Sequence, residues 1–153
     1  MDNYMKLELA AISQNESFAR SAVAAFALVL NPTIAELADV KTAVSEAVTN
    51  CVVHAYKNSR EADNTVCIEC IAEEDGRGGL LHITVTDFGC GIENIAQALL
   101  PFYTTLEGEE RSGMGFTIMQ SFMTEFSVKS EREKGTTVWM SKRFGGEVSE
   151  AIG

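Results

Sequence analysis

Apolar residues recur every three or four positions between residues 37 and 55, and this repeat constrains the fold more than any other feature. Such spacing predicts an amphipathic helix whose apolar stripe packs on a core. Glu46 and Asn50 lie off that stripe, and at about 100° per residue they share one face, one turn apart. Taken alone, such a pair is most simply a solvated polar face. The apolar stripe comprises Leu37, Val40, Val44, Ala47, Val48, Cys51, Val52 and Ala55.

Length and charge indicate one globular domain that avoids nucleic acid. The chain has 153 residues, of which 46% are hydrophobic, which is enough to bury a core. Its net charge of −10 opposes binding to nucleic acid or to an anionic membrane. No apolar run is long enough to span a membrane, and no export signal is present. We therefore expect a cytoplasmic protein with one domain over residues 1–145 and a disordered tail over residues 146–153.

The four cysteines predict free thiols in a reducing compartment. Cys67 and Cys70 form a C-x-x-C pair, but they lie in a run that alternates like a strand. Residues three apart in a strand point to opposite faces, so the two sulfurs cannot bind the same zinc ion. A metal or redox site is therefore not expected here.

Two capping boxes predict where the first two helices begin. Ser13-x-x-Glu16 predicts a first helix that runs to about residue 30, and Thr33-x-x-Glu36 begins the helix described above. A third helix is predicted over residues 116–124. Apolar residues recur along the first helix at Phe18, Ala22, Phe26, Val29 and Leu30. Those of the third helix, predicted to be core, are Phe116, Ile118, Met119, Phe122 and Met123.

Alternating apolar and polar residues predict the strands. A first short strand begins at Met5, and residues 65–72 and 80–86 form a hairpin joined by the glycine-rich segment 73–79. Phe126 and Val128 mark another strand, and residues 136–143 form the last one. Hairpin strands beside a few helices favour an α+β fold, a sandwich of one mixed sheet with helices on one face.

Two glycine-containing segments carry the candidate chemistry. Asp87 directly follows a strand and precedes Gly89 and Gly91, and glycines let backbone approach a ligand closely. Gly113 and Gly115 precede a predicted helix, where free backbone N–H groups can hold phosphate oxygens. Either segment taken alone is more often a turn than a site.

Taken together, four motifs resemble the Bergerat, or GHKL, ATP-binding superfamily, which includes DNA gyrase, histidine kinases, mismatch-repair ATPases and heat-shock chaperones. They are Glu46-x-x-x-Asn50, Asp87-x-Gly89-x-Gly91, Gly113-x-Gly115 and Gly135-Thr136-Thr137. Within that superfamily, the flanking segments 46–56, 102–105 and 111–119 are similar to those of the anti-sigma F factors of sporulating bacteria. This resemblance covers nearly the whole chain. It implies a two-layer α/β sandwich with a mostly antiparallel sheet.

The resemblance also implies a site for ATP and Mg²⁺. Asp87 would accept a hydrogen bond from the adenine amino group, where guanine has a carbonyl instead. Asn50 would provide an oxygen ligand for Mg²⁺. Glu46 would be the general base, and Arg111 would neutralise charge on the γ-phosphoryl group. The other residues implied to bind the nucleotide are Gly89, Gly91, Thr104, Thr105, Gly113, Met114, Gly115, Phe116, Thr136 and Thr137.

Some of these implied roles are more specific than others. Gly89 and Gly91 would open the purine pocket, and Thr136 and Thr137 would complete it. Gly113 and Gly115 would shape the phosphate-binding end. Arg111 has an alternative role, since it could simply solvate the acidic loop beside it. The lid also departs from the family pattern, because Leu106-Glu107 stands where Lys-Pro is expected. His54 lies near the apolar stripe and is interpreted as a packed histidine rather than a phosphoacceptor.

By resemblance, the chain would be an anti-sigma factor and a protein-serine kinase. Its partners would be a sporulation sigma factor, an anti-anti-sigma factor phosphorylated on serine, and a second copy in a homodimer, with Glu16 and Arg20 as candidate contacts. Two alternatives stay open: a nucleotide-dependent sigma-binding module without phosphoryl transfer, and a histidine-kinase-type ATPase domain. Glu46 discriminates among them, because histidine kinases usually carry Asn at this position.

Overall fold

Five antiparallel strands form one layer of the fold. The computed structural model describes residues 2–56, 64–100 and 115–145. Along the sheet the order of the strands is β1-β2-β3-β5-β4, and every neighbouring pair is antiparallel. The strands are Asn3–Ala10 (β1), Thr65–Asp75 (β2), Gly78–Asp87 (β3), Glu125–Glu131 (β4) and Gly135–Phe144 (β5).

The helices form the second layer. They are Gln14–Ala27 (α1), extended by a 3₁₀ turn at Leu28–Leu30; Ile34–Asn50 (α2), extended by a π-helical turn at Cys51–Ala55; Ile95–Ala98 (α3); and Gly115–Phe122 (α4). The capping box at the start of α2 is confirmed. The Glu36 backbone N–H donates to Thr33 Oγ1 at 3.1 Å, and the Thr33 N–H donates to Glu36 Oε1 at 2.8 Å.

The core lies between the two layers. The apolar stripe of α2 is buried, with Val40, Val44 and Val48 all at 0% exposure. It packs on the inward-facing row of the sheet, and this confirms the predicted α+β sandwich. That row includes Val66, Ile68, Cys70, Leu81, Ile83, Val85, Val138 and Met140. Cys67 is half-buried on the other face from buried Cys70, as strand alternation predicts.

The prediction of a capping box at Ser13 is wrong. Ser13 has helical dihedral angles, φ −62° and ψ −29°, and its side chain makes no capping hydrogen bond. The Glu16 carboxylate instead accepts a hydrogen bond from Thr49 Oγ1 on α2 at 2.7 Å. A capping residue is normally extended, so the helical conformation of Ser13 accounts for the missing box.

The buried face of α1 differs from the apolar residues singled out along it. Ala19, Val23 and Ala27 are fully buried, whereas Phe18 and Val29 are about half exposed. Short side chains let α1 pack closely against α2, and the larger ones are left outside that contact.

The β2–β3 hairpin is longer than the sequence suggested. Both strands continue into the glycine-rich segment, so that Asp75 pairs with Gly78 across a turn of Gly76 and Arg77. The Asp75 side chain stabilises this turn by accepting from the Arg77 N–H at 2.8 Å. Helix α4 ends at Phe122, two residues before the predicted end. Met119 in the helix and Met123 just after it are buried, whereas Phe122, predicted to be core, is 38% exposed. The tail 146–153 lies outside the described residues.

Candidate functional site

Helix α2 and the start of α4 meet at Glu46, Asn50 and Gly115. A methyl group built on Gly115 would lie 3.3 Å from Oδ1 of Asn50 and 3.4 Å from Oε2 of Glu46. The two polar side chains therefore share a face of α2, as their spacing predicts, and point at the first turn of α4. Neither makes a side-chain hydrogen bond in the described part of the chain, so their oxygens are available to a ligand.

Asp87 ends strand β3 with its carboxylate turned toward the helices. Oδ1 accepts hydrogen bonds from the backbone N–H of Gly89 at 3.0 Å and of Thr136 at 3.2 Å. Oδ2 lies 3.6 Å from Sγ of Cys51, the residue that follows Asn50. Because Asp87 contacts Cys51, the carboxylate adjoins the end of the same helix that carries Glu46 and Asn50.

Burial raises the pKa of the Asp87 carboxyl, although the hydrogen bonds from Gly89, Cys51 and Thr136 oppose that shift. Asp87 is 6% exposed. The pKa of the Cys51 thiol is raised well above its usual range, first by burial and then by the negative charge of Asp87. The thiol therefore stays protonated and acts as a hydrogen-bond donor.

Three glycines near Asp87 are required by contacts within the chain. A methyl group on Gly89 would lie 2.1 Å from the carbonyl oxygen of Ala55, and one on Gly91 would lie 2.3 Å from that of Glu131. Gly135 has φ +123°, and a methyl group there would lie 2.1 Å from the carbonyl oxygen of Asp87. These contacts alone require glycine at Gly89 and Gly91, and the expected role of both in opening a purine pocket stays a prediction.

The two threonines after Gly135 point to opposite faces of the sheet. Thr136 pairs with Asp87, and its hydroxyl lies 2.8 Å from Ser130 Oγ. Thr137 pairs with Thr86, and their hydroxyls lie 3.5 Å apart on the face away from the helices. The structure therefore brings Thr136 to Asp87 but directs the Thr137 side chain elsewhere, because neighbouring residues of a strand alternate.

Phe116 has a packing role. Its ring lies 5.8 Å from that of Phe126, tilted by 60°, and it is partly buried against the core. His54, in the π-helical turn, is half-buried, which fits a packed histidine.

Sequence reasoning missed three side chains that support Asp87 and the segment after it. Cys51 lies on the predicted apolar stripe, and its spacing does not indicate the contact with the carboxylate. The Tyr56 hydroxyl accepts from the Phe88 N–H at 2.8 Å and donates to the carbonyl of Thr65 at 2.7 Å. Ser130 Oγ accepts from the Ile92 N–H at 2.7 Å. These contacts join residues distant in sequence, so no local pattern signalled them.

An open cavity of about 520 Å³ adjoins Glu46 on the outer side of α1 and α2. Arg20 donates hydrogen bonds to Ser45 Oγ and to Ser17 Oγ, each at 3.3 Å, and so lies where the two helices meet. Arg20 and Lys41 bring two positive charges to this cavity, beside the negative charge of Glu46. The residues that line the cavity are Arg20, Ala38, Lys41, Thr42, Ser45 and Glu46.

The remaining expected site residues lie outside the described part of the chain. They belong to the segment 101–114 and comprise Thr104, Thr105, Arg111, Gly113 and Met114, together with Leu106 and Glu107 of the atypical lid. In the described ranges there is no helix long and apolar enough to cross a membrane. Those ranges also hold no cluster of three or more His, Cys, Asp or Glu residues suited to a metal ion.

Comparison with known sequences gives a consistent family assignment. The family model for the histidine kinase-like ATPase domain matches residues 9–142. An anti-sigma F factor of Geobacillus sp. strain WCH70 is 51% identical over 142 residues, which cover 93% of each chain. One from Thermoanaerobacter sp. strain X514 is 50% identical over 145 residues, covering 95% of this chain and 96% of the relative.

Solved structures show the same fold at low sequence identity. The RsbU and RsbW domains of a Mycobacterium tuberculosis protein match with a TM-score of 0.62 and 18% identity, over 93% of this chain and 32% of that one. The catalytic domain of the histidine kinase ThkA matches with a TM-score of 0.50 and 12% identity, over 93% of this chain and 96% of that domain. Both confirm the ATPase-type sandwich.

Proposed function

This chain belongs to the histidine kinase-like ATPase family and, within it, to the anti-sigma F factors, and from this premise we propose that it is an ATP-dependent protein-serine kinase. It would bind a sporulation sigma factor and phosphorylate a serine of an anti-anti-sigma factor. The observation that carries the proposal is the meeting of Glu46, Asn50 and Gly115 at the first turn of α4. There a carboxylate and an amide, neither of which makes a side-chain hydrogen bond in the described part of the chain, face the described start of α4.

Asp87 is proposed to recognise the base. It is an ionisable acceptor held by two backbone N–H groups, and a carboxylate accepts hydrogen bonds without donating them. It therefore suits the 6-amino group of adenine, which donates, and rejects the carbonyl that guanine has there. The contact between Asp87 and Cys51 supports one continuous site, since Cys51 directly follows Asn50.

Asn50 is proposed to bind Mg²⁺ through its side-chain oxygen. The residues fit such an ion, because the Asn50 carboxamide is unpaired in the described part of the chain and Mg²⁺ takes oxygen ligands beside phosphates and water. When bound, Mg²⁺ neutralises charge on the phosphates during transfer. Backbone N–H groups at Gly115 and Phe116 would hold phosphate oxygens from the opposite side.

Glu46 is proposed to act as the general base. Its carboxylate would take the proton from the serine hydroxyl as the serine oxygen bonds to the γ-phosphorus and the bond between the β and γ phosphates breaks, leaving ADP. Glu46 borders the open cavity that also contains Arg20 and Lys41. A protein segment in that cavity would lie beside the base, and its lining has two cations and the one carboxylate of Glu46, which favours acidic residues around the acceptor serine.

Partner binding and location follow from the same family membership. Glu16 and Arg20 are proposed as partner contacts, although both side chains also hydrogen-bond α2, so a partner would meet a braced surface rather than two free side chains. The protein is proposed to act as a cytoplasmic homodimer. Helix α1 leaves Phe18 and Val29 about half exposed, as a surface that contacts protein would.

The proposal is tested by incubating the protein with γ-labelled ATP, Mg²⁺ and an anti-anti-sigma factor of the same organism. We expect acid-stable label on a serine of that partner. Acid-labile phosphohistidine would instead indicate a histidine-kinase-type domain. ATP-dependent capture of a sigma factor with no label on any partner would indicate a binding module without phosphoryl transfer. An acceptor with that serine replaced by alanine is the control.

A further inference from the structure

Cys51 is the one residue of the apolar stripe of α2 whose side chain has a polar hydrogen, and its thiol lies against the carboxylate of Asp87. We propose that Cys51 is a positioning residue for adenine recognition: its S–H donates to Oδ2 of Asp87 and holds the carboxylate in the orientation that accepts from a 6-amino purine. The inference rests on the proposed function and deepens it.

The acceptor positions of the carboxylate can be counted. An ionised carboxylate has about four lone-pair positions, two on each oxygen. Backbone N–H groups of Gly89 and Thr136 occupy both positions on Oδ1. The Cys51 thiol, at 3.6 Å, occupies one on Oδ2. One acceptor position therefore stays open, and it is on the oxygen whose direction the thiol helps to fix.

The thiol has a competing acceptor, the carbonyl oxygen of Ala47 at 3.4 Å on the preceding turn of α2. Hydrogen bonds to an ionised acceptor are about twice as strong as neutral ones, so the ionised Asp87 carboxylate outcompetes this carbonyl. Cys51 must be the donor in this hydrogen bond, because an ionised carboxylate has no proton to donate.

A buried cysteine could also act as a small apolar side chain that fills space. The two roles predict different behaviour. A space-filling residue tolerates an apolar replacement of similar size, and its loss weakens all nucleotides equally. A positioning residue tolerates a replacement that keeps the donor, and its loss weakens the nucleotide whose base contacts Asp87.

The test compares Cys51→Ser, which keeps a donor, with Cys51→Val, which keeps the volume, and Cys51→Ala, which keeps neither. Each full-length variant is titrated with ATP and with purine riboside triphosphate, which has hydrogen in place of the 6-amino group. The wild type should prefer ATP. Cys51→Val and Cys51→Ala should lower that preference about three- to tenfold, as expected for one hydrogen bond, and Cys51→Ser should keep it.

A second readout is the pH dependence of ATP binding. The hydrogen bond from Cys51 lowers the pKa of Asp87, so its loss in Cys51→Val should move the acid-side loss of ATP binding to higher pH. Cys51→Ser should resemble the wild type. The Val variant keeps this readout informative if Cys51→Ala fails to fold.

Several outcomes would overturn the inference. It is wrong if Cys51→Val keeps the wild-type preference for ATP, or if both nucleotides weaken by the same factor in every variant. If wild-type protein binds ATP but does not distinguish it from the purine analogue, Asp87 does not read the base, and both this inference and that part of the proposed function fail. If ATP binds with preference and the Cys51 variants match wild type, the inference alone fails.

Discussion

The two ends of the candidate site are built in different ways. At the helix end, Glu46 and Asn50 come from one helix, four residues apart, and meet one glycine across a gap. At the sheet end, Asp87 is held by Cys51, which is 36 residues away in the chain, and by Thr136, which is 49 residues away. At the helix end the side chains make no hydrogen bonds that support the fold. At the sheet end the hydrogen bonds of the aspartate are part of what holds the fold together. Substitutions at the helix end should therefore change activity without changing stability, whereas substitutions at the sheet end should change both.

Glu46→Gln tests the helix end most severely. The variant should lower the rate of phosphoryl transfer about 10²- to 10⁴-fold, because a general base contributes about that factor. ATP affinity and the free energy of unfolding should be unchanged, since the carboxylate makes no hydrogen bond in the described part of the chain. Single-turnover transfer and an ATP titration measure the two effects. Glu69→Gln, on the opposite face of the sheet, is the control, and undiminished transfer by Glu46→Gln would remove the base assignment.

Gly135→Ala tests whether the sheet end is scaffold. Gly135 has φ +123°, and the added methyl group would lie 2.1 Å from the carbonyl oxygen of Asp87 and 2.8 Å from Cα of Phe88. Since these are backbone atoms that cannot rotate away, we expect a loss of about 3 kcal/mol in the free energy of unfolding, measured with urea. Gly76→Ala, in the hairpin turn with nothing within 4 Å, is the matched control. Equal stability of the two variants would contradict this description of the sheet end.

Asp87→Asn should separate the structural role of Asp87 from its proposed role in binding adenine. The amide oxygen can still accept from Gly89 and Thr136, so the fold should be kept. The amide nitrogen, however, would meet the adenine amino group donor to donor. ATP affinity should fall by about 1.5–3 kcal/mol, more than tenfold. Calorimetric titration measures it, with the exposed Glu74→Gln as control, and an unchanged isotherm would exclude Asp87 from the base pocket.

The raised pKa of Asp87 predicts opposite pH dependences for folding and for binding. Because the folded state holds this proton more tightly than the unfolded state, the contribution of Asp87 to stability is fully present below the unfolded pKa of 3.8 and is lost as pH rises through the folded value. ATP binding should instead weaken as pH falls through that value. Relative to Asp87→Asn, wild-type stability should decline with pH by at most about 1.4 kcal/mol per unit. Urea titrations of both proteins between pH 4 and 8 test this, and parallel curves would contradict it.

The same difference explains how far the sequence predicts each end. The stripe of α2 and the shared face of Glu46 and Asn50 follow from helical periodicity, which a local window contains. Thr33 and Glu36 cap α2 as predicted because both partners lie within one turn. At Ser13 the same motif fails, because Ser13 is helical rather than extended, and Glu16 instead accepts from Thr49 on another helix.

At the sheet end, the acid and the glycines could be recognised but not their contacts. Asp87 stands out as an acid at a strand end, yet its link to Cys51 depends on how α2 packs on the sheet. Gly89 and Gly91 are predicted to contact a ligand, and nothing in the sequence reveals that the carbonyls of Ala55 and Glu131 also lie against them. Thr137 is different, because strand alternation by itself predicts that its side chain faces away from that of Thr136. The Gly-Thr-Thr motif instead suggests that both threonines line the pocket.

Gly115→Ala gives the smallest expected effect and the sharpest contrast with Gly135→Ala. Its methyl group would meet the ends of two side chains, at 3.3 Å from Asn50 Oδ1 and 3.4 Å from Glu46 Oε2, and not backbone. Both can move by a few tenths of an ångström, so the free energy of unfolding should change by less than about 0.5 kcal/mol. The moved Asn50 should nevertheless bind Mg²⁺ less well, so ATP affinity should fall a few-fold with Mg²⁺ and little with EDTA. A large loss of stability would show that the helix end also supports the fold. Activity and folding would then depend on the same contacts at both ends of the site.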